Sequence, residues 1–404
     1  MFYENLVRAR TTCLNMKRLF YFNPDSEMAV ANGSRYYTPP ANIVRMAEEL
    51  GYLPAYFSDR GDGVLLERYP DTCFLEERKK YFGLEPELVL RKNYGGAGQR
   101  EAVPWGWSPR ADYLLQAGKW KEEWKDLYSR LTALNCLKRW GEVTSSDISG
   151  ILPQKAGSLE EIRKFTQGGG YIVKAPWSSS GKGLLNIGKE GVTEKTSEWL
   201  KGILSRQGYV TIEKRLHRVC DFAMEFYSDG KSCMNYLGLS LFYTGDGGEY
   251  RGNYVGGQAE IAKKLSVWSG EKALTSLRES MSRVLSECIL PFYEGRIGVD
   301  MMIYKEEDGD YRIHPCVEIN LRYTMGMLAL SLGERYVSEH SEGIFTLSFH
   351  PEKGEALRKH RKDEYDFPLR MQTNKLVSGY INLTPVMEET KFMARLEIRE
   401  KTVF

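Results

Sequence analysis

The stretch IGVDMMIYKEEDGDYRIHPCVEINLRYTMG, residues 297–326, decides how this chain is read. Odd positions Tyr311, Ile313, Pro315, Val317, Ile319 and Leu321 are mostly apolar. Even positions Arg312, His314, Cys316, Glu318, Asn320 and Arg322 are mostly polar. A period of two predicts a strand with one face on a core and one polar face. The preceding run alternates too: Ile297, Val299, Met301 and Ile303 share one face, and Asp300 lies on the other. KEEDGD between them is a turn signal, and a loop centred on Gly309 sets Asp300 opposite Glu318, a register that a bulge at Pro315 would move. Two carboxylates and a carboxamide on neighbouring strands repel unless a cation or buried donors sit among them. An all-oxygen set suits Mg²⁺, usually together with substrate phosphates, and two ions can bridge the same oxygens. A solvated polar face carrying a surface Glu–Arg pair explains the same pattern, so this segment alone leaves both readings open.

A second informative stretch lies upstream, VKAPWSSSGKGLLNI at 173–187. Its Gly-Lys pair has the sound of a P-loop, but Pro176 stands where G-x-x-x-x-G-K-[ST] needs Gly, and Gly183 where it needs Ser or Thr. LLNIG after it reads as a strand, whereas a P-loop opens a helix that supplies the donors. The stretch is therefore a Ser/Gly-rich hairpin loop. Gly181 and Gly183 can take positive φ, Ser178, Ser179 and Ser180 add short donors, and such a loop wraps an anion without a helix. An ordinary β-turn reads the same way.

At 404 residues the chain exceeds one ordinary core and predicts two or three domains. Hydrophobic residues at 42% and charged residues at 27% fit a soluble globular protein, and a net charge of +2 leaves no footprint for nucleic acid. No apolar run is long enough to span a membrane, and the basic N-terminus lacks the core of a secretory signal. Seven scattered cysteines without a C-x-x-C pair predict free thiols and a reducing, cytoplasmic setting. RLFYF, LPAYF and ELVLR read as strands alternating with helices in TPPANIVRMAEELG, with a Thr38 cap and a Gly51 stop, and in FLEERKKYFG; this predicts a small parallel sheet. KWKEEWKDLYSRLTALNCLKRWG (119–141) reads as one helical stretch, followed by the strand YIVKA, the serine loop, a helix at 194–208 and the strands YVTIE and DFAMEFYS. EKALTSLRESMSRVLSECIL is a long amphipathic helix, and RKHRKDEY (358–365) a mixed-charge solvated surface. GIFTLSF, LVSGYINL and FMARLEI read as strands of a β-rich appendage.

Taken together, IVKAPWSSSGKG, VTIEKRLHRVCD and GVDMMIY…CVEINLR stand in an order that resembles the ATP-grasp superfamily over roughly residues 120–335. The resemblance implies an α/β fold: a Rossmann-like pre-ATP-grasp domain at 1–115, a two-lobed ATP-grasp domain at 116–345 and a β-rich C-terminal extension at 346–404. Within the middle domain, a lid lobe would span about 140–208 and a metal-binding lobe about 209–345. It implies that Lys174 reaches the phosphates and that Ser178, Ser179, Ser180, Gly181, Lys182 and Gly183 close over them. The backbone of Lys214, Arg215 and Leu216 would meet adenine, with Glu213 beside it, and Asp221 the ribose. Asp300, Glu318 and Asn320 would hold Mg²⁺, one ion or two, with Mn²⁺ as a substitute. Asp300 stands where many relatives have Glu. Arg322 would hold the transferred phosphoryl group, and Lys138, or Arg139 beside it, is the candidate for the family's other ATP lysine. Arg251 is a candidate for a substrate carboxylate, with a surface role equally open. The implied chemistry is ATP-dependent amide-type bond formation between a small-molecule carboxylate and an amine through an acylphosphate, in a protein with no nucleic-acid or membrane partner and a homodimer among the expected assemblies. An ATP-grasp kinase and a non-catalytic nucleotide-binding scaffold are the alternatives.

Overall fold

The structure is a computed structural model that describes residues 17–401 except 97, 99, 179–182 and 246. Ser179, Ser180, Gly181 and Lys182 of the serine loop therefore lie outside the described residues.

Strands β1 (Arg18–Tyr21), β2 (Gly63–Leu66), β3 (Glu87–Leu90) and β4 (Glu101–Pro104) form a parallel sheet of order β3-β2-β1-β4. That is the small parallel sheet the strand–helix alternation predicts. LPAYF, read as a strand, is instead a 3₁₀ turn over Leu53–Phe57. Pro54 sits in its first turn, where its missing N–H costs nothing, and Leu53, Ala55 and Tyr56 are all buried, which erases any alternation. The helix before it runs Ala41–Glu49 behind Pro40, so Thr38 is not its cap and Leu50, not Gly51, follows its last turn.

A second sheet, antiparallel and of order β5-β8-β6-β7, comprises β5 (Gln154–Ala156), β6 (Tyr171–Lys174), β7 (Leu184–Ile187) and β8 (Val210–Lys214). It packs through Val173, Ile187, Val210 and Ile212 onto Ile162, Leu200 and Ile203 of the helices Leu159–Phe165 and Glu194–Gln207.

The third sheet has nine strands. These are β9 (His217–Asp229), β10 (Met234–Thr244), β11 (Tyr250–Val255), β12 (Glu294–Lys305), β13 (Tyr311–Asn320), β14 (Ser341–Phe349), β15 (Arg370–Gln372), β16 (Lys375–Asn382) and β17 (Phe392–Glu400). Their order is β13-β12-β9-β10-β11-β14-β17-β16-β15. The last sixty residues are β-rich and extend this sheet: β14 pairs with β11, and β17 and β16 continue it. The charged run at 358–365 is part of the helix Glu355–Asp366, whose Asp363 is buried and meets Arg395 Nη1 at 2.8 Å. The long helical stretch at 119–141 is broken in two, Trp124–Leu127 and Arg130–Thr144. Ser129 is extended between them and Arg130 N–H donates to Pro176 O at 3.0 Å, which ties the second helix to the neck of the serine loop.

One aromatic-rich core joins the parallel sheet to the helix Met325–Arg335 and the C-terminal strands, through Tyr52, Tyr56, Trp105, Tyr336, Phe345 and Leu396. Another joins β9, β10 and β12 to the helices Arg130–Thr144 and Glu271–Cys288. Among the described residues the cysteines are unpaired, and no helix is long and apolar enough to cross a membrane.

Candidate functional site

The β12–β13 hairpin delivers the expected register: Asp300 stands opposite Glu318, and Asn320 opposite Gly298. It does so through a bulge. Near the turn Lys305 faces Tyr311 and Met302 faces His314, and the register then shifts between Asp300 and Met302. An irregularity beside Pro315 keeps parity, so Glu318 and Asn320 stay on the face of Asp300. That face is not solvated along its length, because His314 and Cys316 are buried on it and Cys316 Sγ approaches Ala133 O of the helix Arg130–Thr144 at 3.6 Å.

Polar side chains on this face form a chain of contacts. Asn320 Nδ2 donates to Asp300 Oδ2 at 3.0 Å, while Asn320 Oδ1 accepts from Arg322 Nη2 at 2.8 Å. Arg322 Nε donates in turn to Glu27 Oε1 at 2.9 Å, a residue of the first described helix, Ser26–Asn32. Glu27 thus brings the parallel-sheet region to the site. Its signal in the sequence is only a helix-start acid, which pattern reading assigns to the helix dipole. Glu318 Oε1 lies 3.2 Å from Arg130 Nη2. Arg130 also donates through Nε to Ala175 O at 3.0 Å and through Nη2 to Ser178 Oγ at 3.2 Å, so one guanidinium bridges the carboxylate face and the serine loop.

Burial pushes the Asp300 carboxyl well up, and the neighbouring Glu318 and Glu225 push it further, against the pull of Arg322. A divalent cation would remove that repulsion. The donor set of two carboxylates and one carboxamide is all oxygen, which fits Mg²⁺ with the remaining positions left to phosphate and water. Among the described residues no group of three or more His, Cys, Asp or Glu is gathered as a metal site. A cation here would therefore depend on oxygens from its ligand.

Glu225 on β9 was not singled out by sequence, because one Glu in an apolar strand carries no spacing signal. It is fully buried and accepts from Ser240 Oγ at 3.0 Å and Thr324 Oγ1 at 2.9 Å, both on Oε1. Oε2 has no partner. A Cβ on Gly298 would come within 2.9 Å of that Oε2 and 2.6 Å of Thr324 Cγ2, so only glycine lets β12 pass over the acid. Burial pushes the Glu225 carboxyl up from 4.5 to about 7. The native state then holds a proton that the unfolded chain has lost, so stability falls as pH rises between those two values and levels off above about 7. Glu225→Gln is expected to remove a decline on the order of 3 kcal/mol between pH 5 and 8. Denaturant unfolding at both pH values checks this, and an unchanged slope in the variant contradicts it.

The second sheet contributes a buried lysine. Lys174 ends β6 and is buried, with Nζ 2.5 Å from Glu213 Oε2 on β8, the strand that pairs with β6. His314 lies near this pair; burial and Lys174 hold its imidazole down at about 4, against Glu213. The serine loop leaves β6 through a neck closed by Ala175 N–H donating to Gly183 O at 2.9 Å. Gly183 is there for close approach and not for a left-handed turn: a Cβ would fall 2.2 Å from Ser178 Cβ. Lys214, Arg215 and Leu216 form the passage from β8 to β9, with Arg215 N–H on Gly170 O at 2.7 Å and Lys214 and Arg215 exposed. Asp221 accepts from Thr244 Oγ1 at 2.6 Å and pairs with Arg218 at 3.1 Å.

Three expected residues take no part in these contacts. Lys138 sits on an exposed face of the helix Arg130–Thr144, and Arg139 pairs with Glu142 and Glu287 at its surface. The basic group of that helix that reaches the carboxylates is Arg130, at its first turn. Arg251 is exposed on β11 and pairs with Glu249 at 3.0 Å.

No protein-family model and no curated protein matches this sequence. Solved structures do. Phosphoribosylamine–glycine ligase from Thermotoga maritima superposes with a TM-score of 0.54 at 16% identity, over 95% of this chain and 92% of that one. Biotin carboxylase from Campylobacter jejuni, in its complex with β,γ-ATP, gives a TM-score of 0.52 at 12% identity, over 97% of this chain and 89% of that one. The chain therefore has the fold to which its motifs point, the ATP-grasp fold, over nearly its whole length.

Proposed function

We propose that the protein is an ATP- and Mg²⁺-dependent ligase that joins a small-molecule carboxylate to an amine. The observation that carries this reading is the Asp300–Asn320–Arg322 chain on β12–β13, facing Glu318 and its Arg130 link to the serine loop. Asp300, Glu318 and Asn320 would hold Mg²⁺. When bound, that ion would neutralise charge on the phosphates and orient them.

The protein's own groups supply the rest. Lys174, buried at a strand end, is a fixed charge that meets a phosphate with little reorganisation. Glu213 holds its ammonium at 2.5 Å. Arg130, rather than Lys138, is the basic group for the phosphates, and can exchange Ser178 and Glu318 for phosphate oxygens. Ser178 and Gly183 form the neck of the loop over those phosphates. The backbone of Lys214, Arg215 and Leu216 would receive adenine, and Asp221 the ribose. Arg322, steadied by Glu27, faces the transferred group. A substrate carboxylate oxygen attacks the γ-phosphorus and ADP leaves. The amine nitrogen then attacks the acyl carbon, phosphate leaves and the nitrogen loses a proton.

Release of ADP and phosphate against a panel of acids and amines tests this reading. Full turnover is expected only with one acid and one amine together. Turnover with a single acceptor would make the protein a kinase, and none with any pair would make it a nucleotide-binding scaffold.

A further inference from the structure

A cavity of about 1020 Å³ opens between the parallel sheet and the nine-stranded sheet, and of the residues assigned above only Arg322 lines it. Its wall contains nine Lys or Arg and six Asp or Glu side chains, an excess of positive charge. Several of these are already committed. Arg18 pairs with Asp59 and Asp62, Arg335 with Asp59, and Lys119 with Glu101. Asp229 accepts the backbone N–H groups of Lys231, Ser232 and Cys233. Lys17, Arg60, Lys121 and Lys231 are exposed, where water screens them.

Arg296 differs from all of these. It is half-buried on β12, and among the described residues its guanidinium makes no ion pair and no hydrogen bond. Its Cζ instead lies 5.1 Å from the ring centre of Tyr227 and 5.5 Å from that of Tyr323. Two rings hold a guanidinium in place while leaving its N–H edge free, so an incoming anion pays little ordering entropy. Arg296 also shares the strand face of Asp300, roughly 13 Å away along β12 by strand rise. Trp105, Trp107, Trp124, Phe57 and Phe292 supply flat apolar wall.

We propose that this cavity binds the non-nucleotide substrate, that this substrate is a carboxylate with an aromatic-sized apolar body, and that Arg296 is its specificity-determining anchor. The assignment rests on the ligase reading, since it is Arg322 that links the cavity to the phosphoryl-transfer cluster. A planar guanidinium matches a carboxylate with two parallel hydrogen bonds, and the aromatic wall stacks the body.

Equilibrium binding of 2-naphthoate and of its neutral analogue 2-naphthalenemethanol to the full chain tests this, with wild type, Arg296→Met and Arg296→Lys compared. Wild type is expected to bind the naphthoate at least about tenfold more tightly than the alcohol. Arg296→Met should erase that preference without changing binding of the alcohol, and Arg296→Lys should restore part of it. Thermal unfolding of each variant identifies a folding defect, and the Lys variant keeps the test decisive if the Met variant unfolds. No preference for the anion in wild type, or a preference that survives Arg296→Met, overturns the assignment, as does failure of both probes to bind. Binding of a non-hydrolysable ATP analogue is measured in parallel. Its loss would sink the ligase reading, whereas naphthoate failure with nucleotide binding intact sinks only the anchor.

Discussion

Glu318→Gln is expected to fold normally and to lose ATP turnover by about 10²–10³-fold or more. The substitution keeps size and the Oε1 acceptor that faces Arg130 Nη2 at 3.2 Å, so the packing of the hairpin has no reason to change. It removes one of the two carboxylates in register across β12 and β13. It also removes one of the charges that push the Asp300 carboxyl up. The folded variant should therefore be at least as stable as wild type while its hold on a divalent cation weakens. Steady-state ADP release across a Mg²⁺ titration, beside a denaturant melt, reads both quantities. Retained activity with an unchanged Mg²⁺ dependence would remove Glu318 from the site.

An equally large loss is expected at Lys174. Lys174→Met should lower kcat/KM for ATP by about 10²–10³-fold, the scale of removing one preorganised charge from a phosphoryl-transfer site. Its ammonium is buried and lies 2.5 Å from Glu213, so deleting it alone strands a carboxylate. The double variant Lys174→Met/Glu213→Gln separates that folding cost from the lost phosphate contact, and should remain as inactive as the single one. Lys182→Met, in the Gly-Lys-Gly stretch of the loop, should cost only about tenfold, or about 1.4 kcal/mol. A severe loss confined to Lys182 would overturn the role given to the strand lysine.

The hairpin was legible in the sequence because alternation is a direct image of the strand pleat, and because two carboxylates on one face need a reason. Its register survived a bulge that the sequence marked only with Pro315. Lys174 was legible for a similar reason, since YIVKA ends where the serine tract begins. Arg130 and Glu27 were not. Both are charged residues at helix starts, and what distinguishes them is the tertiary approach of Pro176 and Ser178 to one and of Arg322 to the other. Lys138 lies at a suitable distance along the chain, yet the helix it rides on turns it outward. Glu225 was hidden by its apolar neighbours: its burial comes from Gly298 and Gly326 passing over it, which no local spacing encodes. LPAYF has no period to read because four consecutive residues, Leu53 to Tyr56, are buried, and proline near its start tips it into a turn.

Nucleotide and metal binding can be measured without knowing the acid or the amine. The test is equilibrium binding of a non-hydrolysable β,γ-imido ATP analogue to the full chain, with Mg²⁺ and again with the metal chelated. Saturable one-to-one binding is expected in Mg²⁺, weakening by at least about tenfold on chelation and similarly in Glu318→Gln even with Mg²⁺ present. Absence of binding in Mg²⁺, or binding indifferent to both the metal and Glu318, would contradict the proposed function.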